Sequence, residues 1–148
     1  MAPTVHASAV LLGARAILIR GPAGSGKSHF VLQALAAAQT GLFPFARLVG
    51  DDRIELVAAH GRLLARPAPE LAGLIEVRGL GIRRVAYEPV AVVALVCDLA
   101  DQQAQRLPEE ADASVVIEGV CLPRVSVPTG IDPLPIVAAA LDAVCERL

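Results

Sequence analysis

At 148 residues the chain is long enough for one domain with a buried core, and its 55% apolar content supplies that core. A net charge of −2 without any basic block argues against a nucleic-acid platform, as do three Phe, one Tyr and no Trp, which leave few surfaces for stacking bases. No apolar stretch approaches the ~20 residues of a spanning helix, and Arg15 and Arg20 interrupt the first apolar run, so neither a membrane segment nor a signal peptide is expected. Cys97, Cys121 and Cys145 lie far apart without zinc-ligand spacing and read as buried thiols in a reducing, cytoplasmic setting.

In chain order, residues 5–12 and 15–20 read as strands joined at Gly13-Ala14, a hairpin that leads into Gly21-Pro22-Ala23-Gly24-Ser25-Gly26-Lys27-Ser28. A helix is expected over 27–38, where Phe30, Val31, Ala34 and Leu35 recur at helical spacing. Leu48-Val49 is a short strand ending at Asp51-Asp52. Residues 54–58 and 62–66 flank His60-Gly61 as a second hairpin, 69–72 as one helical turn and 74–78 as a strand. The most apolar strand spans 90–97; 102–106 reads as a short helix, and 115–117 and 123–127 as extended. Asp132 offers an N-cap and Pro133 a first helical residue for a closing helix to about residue 147. Strands outnumber helices and several are joined by tight turns, so the expected class is α/β with a mixed sheet, a P-loop and flanking helices rather than a strictly alternating parallel one.

The loop carries the strongest chemical signal. In G-x-x-x-x-G-K-S the glycines turn successive backbone N–H groups inward into an anion nest, and the following helix adds its positive end. Lys27 is the only lysine of the chain's 13 basic residues, a compact point charge suited to the β- and γ-phosphates of a nucleotide, and Ser28 is placed to ligate Mg²⁺. Strand, loop and helix follow in the order that mechanism requires. Phosphoryl transfer further needs an acid for the metal and a base for the attacking oxygen. Asp51, Asp52, Glu76 and Asp98 are placed for these tasks. Glu76 and Arg78, two apart on a strand, share a face. Asp98 ends an apolar strand in the manner of a Walker B acid, and spacing alone does not choose between it and Glu76.

His6, the 21–28 loop, Val49-Gly50-Asp51-Asp52-Arg53 and Ile75-Glu76-Val77-Arg78-Gly79-Leu80-Gly81-Ile82, in that order, resemble the catalytic domain of HPr kinase/phosphorylase. The resemblance runs from about residue 6 to 127. It implies a PEP carboxykinase-like P-loop kinase domain, a single catalytic domain over 1–148 with no counterpart of the family's N-terminal domain. It also implies an ATP- and Mg²⁺-dependent protein serine kinase acting on the phosphocarrier HPr in phosphotransferase-system regulation. Asp52 then resembles the general base, His6 the histidine beside it, Lys27 and the loop the ATP cradle, and Ser28 and Glu76 the Mg²⁺ ligands. Arg106 resembles a catalytic arginine, and Asp51, Arg53 and Arg78 further site lining. The family's usual assembly implies a homo-oligomer. At 127–132 the family's arginine is missing, so the reverse, phosphorylase reaction is not expected. Two other readings stand beside this one: a small-molecule kinase using Asp98 as its metal acid, and a non-catalytic nucleotide-binding regulatory module.

Overall fold

A computed structural model of the chain describes residues 3–104 and 109–146. Thr4–Leu12 (β1) and Arg15–Arg20 (β2) form the expected antiparallel hairpin, and Lys27–Gln39 (α1) follows the glycine-rich loop. Ala46–Gly50 (β3) returns along the other edge of β1. Arg53–Ala59 (β4) and Arg62–Pro67 (β5) pair through His60-Gly61, where φ of 52° and 76° matches the two positive values that a tight hairpin turn demands. Leu74–Val77 (β6) and Gly81–Arg84 (β7) make a small separate hairpin. Ala91–Leu99 (β8), Ser114–Ile117 (β9), Val120–Val127 (β10) and Pro133–Glu146 (α2) complete the chain.

The central sheet runs β3-β1-β2-β8-β10-β9. Pairings β2–β8 and β8–β10 are parallel and the others antiparallel, so the sheet is mixed as expected. The first residues of β1 leave it to pair with β4, and those of β8 to pair with β5, so the β4–β5 hairpin spans one face. The helices cover the other. Period-2 alternation therefore fills two cores: Val10, Leu12, Ile17 and Ile19 meet Phe30, Val31, Ala34 and Val137 on the helical side, while Ala7, Ala9, Ala16 and Leu18 meet Ile54, Leu63 and Ala65 on the other. Phe30 is wholly buried, a contribution of about 2 kcal/mol from its apolar surface. Between Ala16↔Val93 and Ile17↔Leu95 the register skips one residue of β8. This bulge reverses side-chain parity, so Ala91 and Val93 face the second core and Leu95, Cys97 and Leu99 the first.

Asp132 Oδ1 accepts the Leu134 N–H at 3.0 Å, which caps α2 where the sequence placed its start. Three expectations change. The strand β7 and a 3₁₀ turn at Glu110–Ala113 were not anticipated. All four residues of β7 are exposed, so no burial pattern marks it. Residues 102–104 form no helix, and 105–106, the rest of the expected short helix, lie outside the described residues. Cys97 is buried, but Cys121 is exposed on β10 and is no core thiol. Burial, with Asp98 beside it, pushes the Cys97 thiol up to about 12.

Candidate active site

The phosphate loop is shaped by its glycines. Gly24 and Gly26 take φ of 79° and 100°, and Gly26 is the left-handed residue from which α1 starts. A Cβ at Gly21 would lie 2.5 Å from Ser25 Oγ and 3.1 Å from the Leu99 carbonyl oxygen, so the loop is pressed against the end of β8. Lys27, 7% exposed, folds back across the loop and donates from Nζ to the carbonyls of Gly21 (2.8 Å) and Pro22 (3.1 Å). Burial lowers its pKa against the opposing pull of Asp52 and Asp51, and a phosphate beside the ammonium would reverse that shift.

The two adjacent aspartates have opposite surroundings. Asp51 is buried and accepts from Ser8 Oγ (2.6 Å), from Ser28 Oγ (2.8 and 2.9 Å to its two oxygens) and from the Glu76 N–H (3.3 Å). Asp52 points to solvent, 63% exposed, with Oδ1 3.1 Å from His6 Nε2. What separates them is the backbone. The Arg53 N–H donates to the Asp51 carbonyl at 2.8 Å across Asp52, whose φ is +68°, a three-residue turn of the strained kind. The Asp52 carbonyl in turn accepts from Ala7 N–H at 3.3 Å, tying the turn to β1. Strain held in place by surrounding hydrogen bonds marks functional sites more often than ordinary loops.

A cleft of about 670 Å³ brings together His6, Lys27, Ser28, Asp51, Asp52 and Glu76, with Arg78 also on its wall. Glu76, Val77 and Arg78 all line this wall, and Arg78 lies past the end of β6 in the turn, so the shared strand face expected of Glu76 and Arg78 is not what brings them together. Sequence reasoning missed Ser8; Asp51, one of the four candidate acids and by resemblance only site lining, is the acid in contact with Ser28. The signal of Ser8 was weak, one small polar residue in an apolar strand. Arg53 is exposed, and does not line the cleft as expected; it lies opposite His6 in the β1–β4 register, at the edge of the turn its own N–H closes. Arg106 lies outside the described residues.

Asp98 lies outside this cleft and is engaged by two arginines, so the structure does not favour the reading that makes it the metal acid. Its side chain is 15% exposed, and Arg20 grips it through Nε to Oδ1 and a terminal nitrogen to Oδ2 at 2.7 and 2.8 Å, while Arg124 Nε donates to the same Oδ2. Arg124 also reaches Asp101 at 2.9 Å. Burial raises the Asp98 pKa, but the hydrogen bonds from Arg20 and Arg124 outweigh it and the net shift is downward. The network anchors Arg20, and so the first residue of the loop, to β8. Asp98→Asn should destabilise the fold by about 2 kcal/mol at pH 7, less than a fully buried pair because Arg20 is partly exposed. A folded-state pKa depressed below 3.8 contributes stability above that value, and this is lost as pH falls through the folded pKa. The gap between wild type and Asp98→Asn in denaturant titrations should therefore close as pH falls below about 3.8; a gap unchanged down to pH 2 contradicts the assignment.

Fold and site together define a mixed α/β domain built around a G-x-x-x-x-G-K-S loop whose serine meets a buried aspartate. By sequence and by fold the chain is a relative of HPr kinase/phosphorylase. It is 33% identical to the HPr kinase/phosphorylase of Limosilactobacillus reuteri over 137 residues, 84% of this chain and 40% of that protein. Against that of Streptococcus thermophilus the identity is 31% over 137 residues, 84% of this chain and 42% of the other. The structure of the Hpr(Ser) kinase/phosphatase from Coxiella burnetii matches with a TM-score of 0.73 and 25% identity, covering 98% of this chain and 97% of that one. No family model matches. The chain spans about 40% of the length of the curated relatives it matches. Among the described residues no helix is long and apolar enough to cross a membrane.

Proposed function

We propose that this chain is a PEP carboxykinase-like P-loop kinase domain that transfers the γ-phosphoryl group of ATP, with Mg²⁺, to a serine of an HPr-like phosphocarrier. The observation that carries this reading is the division of labour between Asp51 and Asp52 at the mouth of the phosphate loop. Asp51 is buried on Ser28, and Asp52 is exposed to an incoming hydroxyl with His6 beside it.

The donors fit the metal. Mg²⁺ bound with a nucleotide takes one or two protein oxygens and completes its shell with phosphate and water. Ser28 Oγ and the Asp51 carboxylate supply such oxygens, and Glu76, on the same cleft wall, supplies another. A preassembled cluster is not needed, and among the described residues no group of three or more His, Cys, Asp or Glu side chains forms one. Bound there, the ion would neutralise charge developing on the transferred group.

The chain's own residues do the rest. The backbone N–H groups of the loop and Lys27 hold the phosphates, and Lys27 leaves the Gly21 and Pro22 carbonyls to do so. Asp52 accepts the proton of the attacking serine hydroxyl, and His6 Nε2 orients its carboxylate. Arg78 adds positive charge to the wall on which the acceptor arrives. We read the domain as cytoplasmic and as part of a homo-oligomer, and the arginine missing from 127–132 counts against the reverse, phosphorylase reaction. Incubation with γ-labelled ATP and Mg²⁺ should place label on an HPr-like protein and on none of a panel of metabolites. Tight ATP binding with no labelled protein would instead favour a non-catalytic nucleotide-binding module.

A further inference from the structure

Arg20, Asp98, Asp101 and Arg124 form a partly buried charge cluster that the proposed chemistry does not use and that lies outside the reactive cleft. Its members come from segments that end beside the phosphate loop. Arg20 is the last residue of β2, immediately before Gly21, and lies opposite Asp98 in the parallel β2–β8 register. Arg124 stands on β10 and Asp101 follows the end of β8. Asp101 is held twice more, its N–H donating to the Val127 carbonyl at 3.1 Å and its Oδ1 accepting the Gln103 N–H at 2.9 Å. Two cations face two anions, so the cluster is neutral within itself. Such a cluster contributes little net stability compared with apolar side chains of the same volume. Fixed geometry is what it adds, because the two-pronged Arg20–Asp98 contact sets orientation as well as distance.

The loop depends on that geometry. Gly21 packs so closely on the carbonyl of Leu99, the residue after Asp98, that a Cβ there would come within 3.1 Å of it. The Gly21 carbonyl is also the nearer partner of Lys27 Nζ, at 2.8 Å. A displacement of Arg20 therefore passes directly to the entry of the loop and to the lysine that folds back over it. We propose that Asp98 is a positioning residue of this site: through Arg20 and Arg124 it fixes the entry of the loop, so that the loop N–H groups and Lys27 meet the phosphates in line. The inference rests on the loop being a phosphate site. Hydrogen bonds weaken steeply as donors turn off axis, and a shift of about 1 Å arising away from the chemistry can cost about 10²-fold in rate.

Calorimetric titration with Mg²⁺ and inorganic tripolyphosphate, well below the melting transition of each variant, separates positioning from plain stability. Asp98→Asn sets an amide NH₂ against an arginine donor, since both carboxylate oxygens are engaged, and should weaken tripolyphosphate binding about tenfold. Arg20→Lys keeps the charge but not the two-pronged bond and should weaken it about threefold. Leu63→Ala, in the buried core on the face away from the helices, also lowers melting but should bind tripolyphosphate as wild type does. Wild-type affinity in Asp98→Asn, or in Arg20→Lys if Asp98→Asn does not fold, overturns the positioning role. So does an equal loss of affinity in Leu63→Ala. Failure of wild type to bind tripolyphosphate overturns the phosphate-loop reading itself, and the positioning role with it.

Discussion

Lys27→Ala should abolish ATP-dependent transfer, a loss of at least about 10²–10³-fold, the range for removing one preorganised charge-stabilising donor. The expectation is for a folded, inactive protein. In the unliganded fold the ammonium is a net burden: burial lowers its pKa, and its partners are the carbonyls of Gly21 and Pro22 rather than a carboxylate. Removing it should cost little stability. Thermal denaturation and tripolyphosphate titration check both halves: near-wild-type melting, and tripolyphosphate binding weakened more than tenfold. An active variant would place the phosphate site elsewhere. Arginine should rescue poorly, because a planar guanidinium does not replace a point charge reaching over the loop.

Asp52 yields the second large effect. Asp52→Asn keeps the shape and the hydrogen bond to His6 but removes the proton acceptor, and transfer should slow about 10²–10⁴-fold with nucleotide affinity largely retained. The same residue holds a backbone conformation (φ +68°) that glycine adopts without cost. Asp52→Gly should therefore lose transfer without losing stability, since relief of about 1 kcal/mol of strain offsets the exposed pair with His6. An active-site residue whose removal leaves melting unchanged or raised is one selected for chemistry. If Asp52→Gly melts several degrees lower, the turn is a structural element instead.

Both effects come from adjacent residues that look alike in the sequence, and this marks where reading the chain stopped. The phosphate loop, the hairpin before it, the helix after it and the capped α2 were legible because each is set by local backbone requirements: glycines at positive φ, a proline at a first helical position, an aspartate two residues before the N–H it caps. The mixed character of the sheet followed from the tight turns between strands. The split between Asp51 and Asp52 was not legible, because it depends on Ser28 and Ser8 being brought to one of them across 23 and 43 residues. Asp98 shows the reverse case. An apolar strand ending in an acid carries a real pattern, yet Arg20 and Arg124, 78 and 26 residues away, occupy both its oxygens. The exposed strand β7 left no periodic trace at all. Local rules place the elements, and long-range contacts decide which acid is held against the loop serine.

The most direct test is mass-spectrometric mapping of an HPr-like carrier after incubation with ATP and Mg²⁺, for wild type and Asp52→Asn side by side. Phosphoserine at a single site, formed by wild type and slowed by at least about 10²-fold in Asp52→Asn, is the result predicted. A carrier left unmodified by wild type, or modified equally by both proteins, would contradict the assignment of this domain as a protein serine kinase with Asp52 as its base.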